Sequence, residues 1–260
     1  MTRIAHLSDP HFGTEQPDLP ESLARHLGHL NPDLILIAGD LTQRARPSQY
    51  ATAARFVAAF PPSTLLIPGN HDAPLWNLPL RLLAPWRDWH RGLARPLEGE
   101  WQTDTTLLIA LNSANPRAWK DGRLTPAQHA HIAARCAAAG PRRRLVALHH
   151  PPEAPPGAPP SLDHAAETIA TLKAAGVEMV LSGHLHVTHV APLTDAPGIL
   201  GVQAGTCLSS RIRGDGNAFT LIDLTETGAD ITHHRADAQG RFHPDATVTW
   251  EKTAQGWRHG

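Results

Sequence analysis

Short apolar runs recur along this chain, and five of them end in residues that can bind a metal ion. Residues 4–7 lead into Asp9-Pro10-His11, and residues 34–38 into Gly39-Asp40. Residues 65–67 lead into Gly69-Asn70-His71-Asp72, residues 145–148 into His149-His150, and residues 179–181 into Gly183-His184-Leu185-His186. Short apolar runs bounded by turn-forming residues read as buried strands. Side chains far apart in sequence can meet where strand ends share the carboxyl edge of a sheet.

The segments between these runs carry helical periodicity. Helices are expected at residues 20–30, 47–60, 126–139 and 163–175, with Pro47 in a first turn and Gly140-Pro141 closing the third. Strands are expected at 33–38, 64–67, 105–111 and 177–181. Alternating strand and helix implies parallel strands joined by right-handed crossovers. After His186 the pattern changes to short strands without helices, at 187–191, 199–203, 218–224, 231–235 and 247–250. This meander is expected to form a second, more antiparallel sheet.

Three stretches depart from the alternation. In residues 73–101, Trp76, Trp86, Trp89 and Trp101 interleave with proline and arginine. Short helices are expected there, packed on the sheet or forming part of a cap. Residues 151–160 hold six prolines, which exclude helix interior and central strand. They read as a stiff loop after His149, either a wall or lid of a site or a connector. Arg142-Arg143-Arg144 reads as a solvated strand edge.

Composition narrows the picture. With 260 residues, 41% of them hydrophobic, residues 1–260 read as a single domain with a sizeable core. A formal net charge of −1 gives no global field for a nucleic acid polymer, which is disfavoured as a partner. Cys136 and Cys207 supply neither a disulfide framework nor a thiolate metal motif. No apolar stretch reaches membrane-spanning length, and the first strand leaves no room for a signal peptide, so a cytoplasmic protein is expected. Eighteen histidines weaken any argument from a single one; order and strand context carry the case.

The candidate ligands Asp9, His11, Asp40, Asn70, His149, His184 and His186 offer oxygen and nitrogen without sulfur. That donor set suits Mn, Fe, Zn, Co or Ni better than calcium. Seven ligands exceed one tetrahedral ion and fit two ions sharing a carboxylate, roughly 3.5–4 Å apart.

The ordered blocks Asp9/His11, Gly39/Asp40, Gly69 to Asp72, His149, and Gly183 to His186 resemble the calcineurin-like metallophosphoesterase superfamily. Within it the chain looks most like bacterial class III cyclic nucleotide phosphodiesterases and related broad-specificity phosphodiesterases. The segment 203–206, with Ser209, Arg211, Arg213 and Gly214, shares that likeness less specifically. The resemblance implies a four-layer α/β/β/α sandwich of two mixed sheets flanked by helices. It also implies a metal-dependent phosphoric diester hydrolase acting by metal-bridging hydroxide, on substrates that include 3′,5′-cyclic nucleotides. By the same resemblance, Asp9, His11 and His186 hold one metal, Asn70, His149 and His184 hold the other, and Asp40 bridges them. His149 is preferred to His150 because the family ligand follows the strand directly. His71 is the implied catalytic residue, stabilising transition-state charge and protonating the leaving oxygen. Asp72 either orients His71 or caps the following turn. Asn112, Arg211 and Arg213 stand open between substrate contact and structural roles.

The run after Gly39-Asp40 lacks the Asp-Arg-Gly of the protein serine/threonine phosphatases, and His71 replaces the arginine typical of lipid A precursor pyrophosphatases. The alternatives are a phosphomonoesterase or nuclease on the same site, or a non-catalytic metal sensor or scaffold. A small-molecule phosphodiester is the expected substrate. The Trp-rich segment makes a homodimer an expectation.

Overall fold

The computed structural model describes residues 2–61, 63–75, 77–214 and 216–260. The first half runs β1 (Thr2–Leu7), α1 (Leu19–Leu30), β2 (Leu34–Ala38), α2 (Pro47–Val57), β3 (Thr64–Ile67), α3 (Leu78–Leu83), α4 (Arg87–Leu93), β4 (Gly99–Gln102) and β5 (Thr106–Ala110). It continues through β6 (Gly122–Arg123), α5 (Pro126–Ala137), β7 (Arg143–Ala147), β8 (Leu162–Asp163), α6 (Ala165–Ala174) and β9 (Met179–Ser182). Strands alone follow: β10 (His189–Leu193), β11 (Ala196–Gln203), β12 (Ala218–Leu224), β13 (Gly228–Ala236), β14 (Phe242–Pro244), β15 (Val248–Thr253) and β16 (Gly256–His259).

Among the described residues, one sheet has the order β16-β15-β13-β12-β1-β2-β3, with β14 paired to β13. The second has the order β10-β11-β9-β7-β5-β4. Both are mixed. β1, β2 and β3 are parallel and β12 is antiparallel to β1, while β5, β7, β9 and β11 are parallel between antiparallel β4 and β10.

The alternation of side chains along a strand explains the four layers. In β2, Leu34, Leu36 and Ala38 enter the core between the two sheets, while Ile35 and Ile37 enter the core with residues of α1 and α2. Leu107, Ile109, Val146 and Val180 of the second sheet face Ile132 and Leu172 of α5 and α6. The runs at 34–38, 107–110, 145–147 and 179–181 are apolar on both sides because both faces of these strands are covered. Burying each such Leu or Ile contributes about 1.5–3 kcal/mol. Helix α5 begins with a reciprocal cap: Gln128 N donates to Thr125 Oγ1 at 3.3 Å, and Thr125 N donates to Gln128 Oε1 at 2.7 Å.

Three expectations change. The strands after His186 do not form a sheet of their own: β10 and β11 complete the second sheet, and β12 to β16 extend the first from β1. The short apolar runs show where strands lie but not which neighbour each one chooses. In the Trp-rich segment, Trp89 of α4 is fully buried and Trp86 packs on the same core. Helix α4 lies so close to α2 that a Cβ on Gly92 would meet Tyr50 Cβ at 2.6 Å. Packing therefore describes α4, while Trp101 sits on strand β4 and Trp76 lies outside the described residues. Arg143 is no solvated edge residue: it pairs with Glu178 at 2.9 Å and donates to Thr225 O at 3.0 Å and Gly228 O at 2.7 Å, clamping one sheet to the other. Among the described residues, no helix is long and apolar enough to cross a membrane.

Candidate metal centre

The ends of β1, β2, β3, β7 and β9 bring all seven predicted ligands and His71 to one edge of the sandwich. One ligand atom from each of Asp9, His11, Asp40 and His186 lies within 4.8 Å of the others, and a second such group joins His149, His150 and His184. Asp40 links the two groups. Its Oδ2 lies 3.6 Å from His11 Nε2 and 3.4 Å from His149 Nε2. In the first group His186 Nε2 is 3.1 Å from Asp9 Oδ1 and 3.0 Å from His11 Nε2.

The surrounding chain fixes the donor atoms. Asp40 Oδ1 accepts the His71 amide at 2.8 Å, leaving Oδ2 for the centre. Asp9 Oδ2 accepts the His184 amide at 2.9 Å and lies 2.6 Å from Ser8 Oγ, leaving Oδ1. His149 Nδ1 donates to Ala38 O and His186 Nδ1 to Arg211 O, both at 2.7 Å, which presents each Nε2 inward.

Asp9 Oδ1, Asn70 Oδ1, His149 Nε2 and His184 Nδ1 are buried and have no hydrogen-bond partner. Buried polar atoms left this way are costly unless something binds them, and these donors fit divalent metal ions. His150 belongs to the second cluster by distance, yet its Nδ1 is 2.9 Å from Ser113 Oγ and its Nε2 2.9 Å from Lys120 O. Both ring nitrogens are engaged, whereas His149 Nε2 is open.

The backbone is held in an uncommon conformation at five candidate ligands. Asp9, His11, Asp40, His184 and His186 have φ values of 53°, 48°, 49°, 72° and 60°. Left-handed backbone is rare for residues other than glycine and concentrates at functional sites. The adjoining glycines make room: a Cβ on Gly39 would lie 2.2 Å from His149 Nδ1, and one on Gly183 would lie 1.7 Å from Ser8 Oγ.

Charge is concentrated here. Burial disfavours the Asp9 and Asp40 carboxylates, but the adjoining histidines hold both well below the usual carboxylate range. Burial also opposes protonation of His149, yet Asp40 and Asp9 raise it to about 9. Burial and neighbouring His149 lower His184 to about 3.

Asp72 takes the structural role. Its carboxylate accepts the amides of Gly69 and Leu41 at 3.0 Å and of Thr42 at 2.8 Å, and the Thr42 hydroxyl at 2.9 Å. It thereby ties the Asp40 loop to the Asn70 loop. Asn112 Oδ1 accepts the Ala114 amide at 2.9 Å, a local turn contact, and Arg213 is exposed. The loop at 151–160 walls a cavity of about 380 Å³ with Pro151, Pro152 and Pro156 opposite Ser182, His189 and Gln203. None of the candidate ligands lines that cavity. Sequence reading missed Ser8 and Ser113, since serine at a strand end carries no distinguishing pattern. Thr206 was singled out without a role; its hydroxyl donates to Asp9 O at 2.6 Å.

Histidines and carboxylates gathered from five strand ends around one aspartate define the candidate centre of a metal-dependent hydrolase. Residues 2–188 match the family of calcineurin-like phosphoesterases, and the chain belongs to that family. It is 29% identical over 161 residues to a glycerophosphodiester phosphodiesterase of Enterobacter lignolyticus, covering 57% of this chain and 56% of that protein. The chain thus spans little more than half the length of that relative. It is 27% identical over 275 residues to a cAMP/cGMP dual specificity phosphodiesterase of Mycobacterium tuberculosis, covering 94% of this chain and 77% of that one. Among solved structures, a dimetal phosphatase from Danio rerio shares the fold with a TM-score of 0.67 at 12% identity, covering 95% of this chain and 98% of that one.

Proposed function

We propose that this chain is a dinuclear metal-dependent phosphodiesterase acting on a small-molecule phosphodiester. The observation that carries the reading is Asp40 Oδ2, set 3.6 Å from His11 Nε2 in one donor group and 3.4 Å from His149 Nε2 in the other. Asp9, His11 and His186 would hold one ion, Asn70, His149 and His184 the second, and Asp40 both. Two bound cations polarise a phosphoryl oxygen and lower the pKa of attacking water. His71 stands beside the first donor group, its ring centroid 4.9 Å from that of His11. Its place beside that group, with its amide on Asp40 Oδ1, supports a role at the leaving oxygen. The names of the relatives support cyclic nucleotides and glycerophosphodiesters as substrate classes. A cytoplasmic location and a homodimer belong to the same proposal; Leu78, Leu82 and Leu83, exposed together on α3, support a partner of the same chain.

The test compares bis(p-nitrophenyl) phosphate with p-nitrophenyl phosphate after metal stripping and reloading with Mn, Zn or Fe. Preference for the diester is expected, with cyclic nucleotides and glycerophosphodiesters assayed next. Preference for the monoester would move the protein to the phosphatases. No turnover with two ions bound would leave a metal sensor.

A further inference from the structure

We propose that Arg211 is the substrate-gripping residue of this centre: its guanidinium rests on His71 in the free site and moves to a non-bridging oxygen of a bound phosphoester. The proposal rests on the phosphodiesterase reading for its substrate and on side-chain geometry for its residue.

Arg211 Nη1 lies 3.1 Å from His71 Nε2 and 3.4 Å from Gln43 Oε1. His71 Nδ1 lies 2.8 Å from the carbonyl oxygen of Gln43. A carbonyl only accepts, so Nδ1 carries the proton. A guanidinium only donates, so Nε2 is the lone pair that receives it. In the free site His71 Nε2 is therefore occupied by Arg211. A group that binds there must meet the guanidinium first.

The setting calls for an anion. Among the described residues, Arg211 makes no ion pair with a carboxylate, and it stands beside a centre built to hold two cations. A third positive charge there is unfavourable unless a negatively charged ligand shares the space. Guanidinium matches phosphoryl oxygens in charge and geometry. The backbone secures the position: Arg211 N donates to Ser209 Oγ at 2.9 Å, and Arg211 O accepts His186 Nδ1 at 2.7 Å. The residue that orients a candidate metal ligand through its carbonyl thus carries the phosphate contact on its side chain. The backbone half survives any side-chain substitution, so the two roles can be separated.

The experiment titrates inorganic phosphate into metal-loaded wild type, Arg211→Ala and Arg211→Lys by calorimetry. Metal content, kcat and KM for bis(p-nitrophenyl) phosphate are measured on the same preparations. Both variants are expected to keep wild-type metal content. Phosphate affinity of Arg211→Ala should fall at least about tenfold, with KM rising, and Arg211→Lys or added guanidinium should restore part of the loss. Arg211→Ala that binds phosphate like wild type, or that loses its metal, would overturn the proposal. If wild type binds phosphate but hydrolyses no diester, the phosphodiesterase reading falls while the titration still decides the role of Arg211.

Discussion

Asp40 uses its two carboxylate oxygens differently, one for the His71 amide and one for the space between two groups of histidines. Asp40→Ala should therefore cost both ions together; substantial activity with normal metal content would sink the shared-ligand model. His71→Ala should keep both ions and lose about 10²–10⁴-fold in rate, most with poor leaving groups, in a leaving-group series. A third residue acts on stability. His6 is fully buried, neither ring nitrogen has a hydrogen-bond partner, and burial lowers its pKa to about 3. The unfolded chain takes up this proton near 6.5, and the folded chain only near 3. Stability is then full above pH 6.5 and is lost as the pH falls toward 3. Thermal melts across that window should show a shallower decline for His6→Leu. The candidate ligands were legible because metal-binding types at strand ends form a pattern. Ser8 was not, because its role exists only where Gly183 approaches it in space. The left-handed backbone of Asp9 and Asp40 is only weakly marked by residue type, since aspartate visits that region more than most residues but seldom.

At the scale of elements, helices and strands were legible where periodicity and end signals agreed, as at Pro47 opening α2. Partner choice was not legible. Nothing in the run of β12 shows that it lies between β1 and β13, because its pairing is decided by the apolar cores on either side of the sheet. Nor does an arginine triplet reveal that its middle member reaches across the sandwich to Gly228 O. Another arginine holds α3. The buried guanidinium of Arg81 donates to Pro116 O at 2.7 Å, to Ala73 O at 3.2 Å and to Pro74 O at 3.4 Å, and also to Ala118 O. Arg81→Met would leave these carbonyls without a partner, costing about 1–3 kcal/mol. Denaturant unfolding should register that loss, and hydrogen exchange should accelerate across residues 77–83.

For the molecule as a whole, the crowding of buried donor atoms would make bound metal a partner in folding as well as in the proposed chemistry. A ligand that binds only the native state stabilises it by about 4 kcal/mol at a thousand times its dissociation constant. Stripping the ions should lower the melting temperature, and readdition should restore it in a concentration-dependent way. Wild-type melting unaffected by chelation, in protein shown to have held two ions, would contradict this linkage.

Thr206 holds the carbonyl of Asp9, and β12 lies against β1 at the centre of its sheet. This arrangement sets a timetable for the newborn protein. Thr206 is made about two hundred residues after the Asp9 whose carbonyl it holds, roughly 10–40 s later at ordinary synthesis rates. By residue 188 every candidate ligand has been translated, but β1 still has a bare edge and the Asp9 loop lacks its brace. The candidate metal pocket is thus braced by residues made after its candidate ligands, and a nascent chain carries all seven of those before the Asp9 loop is secured.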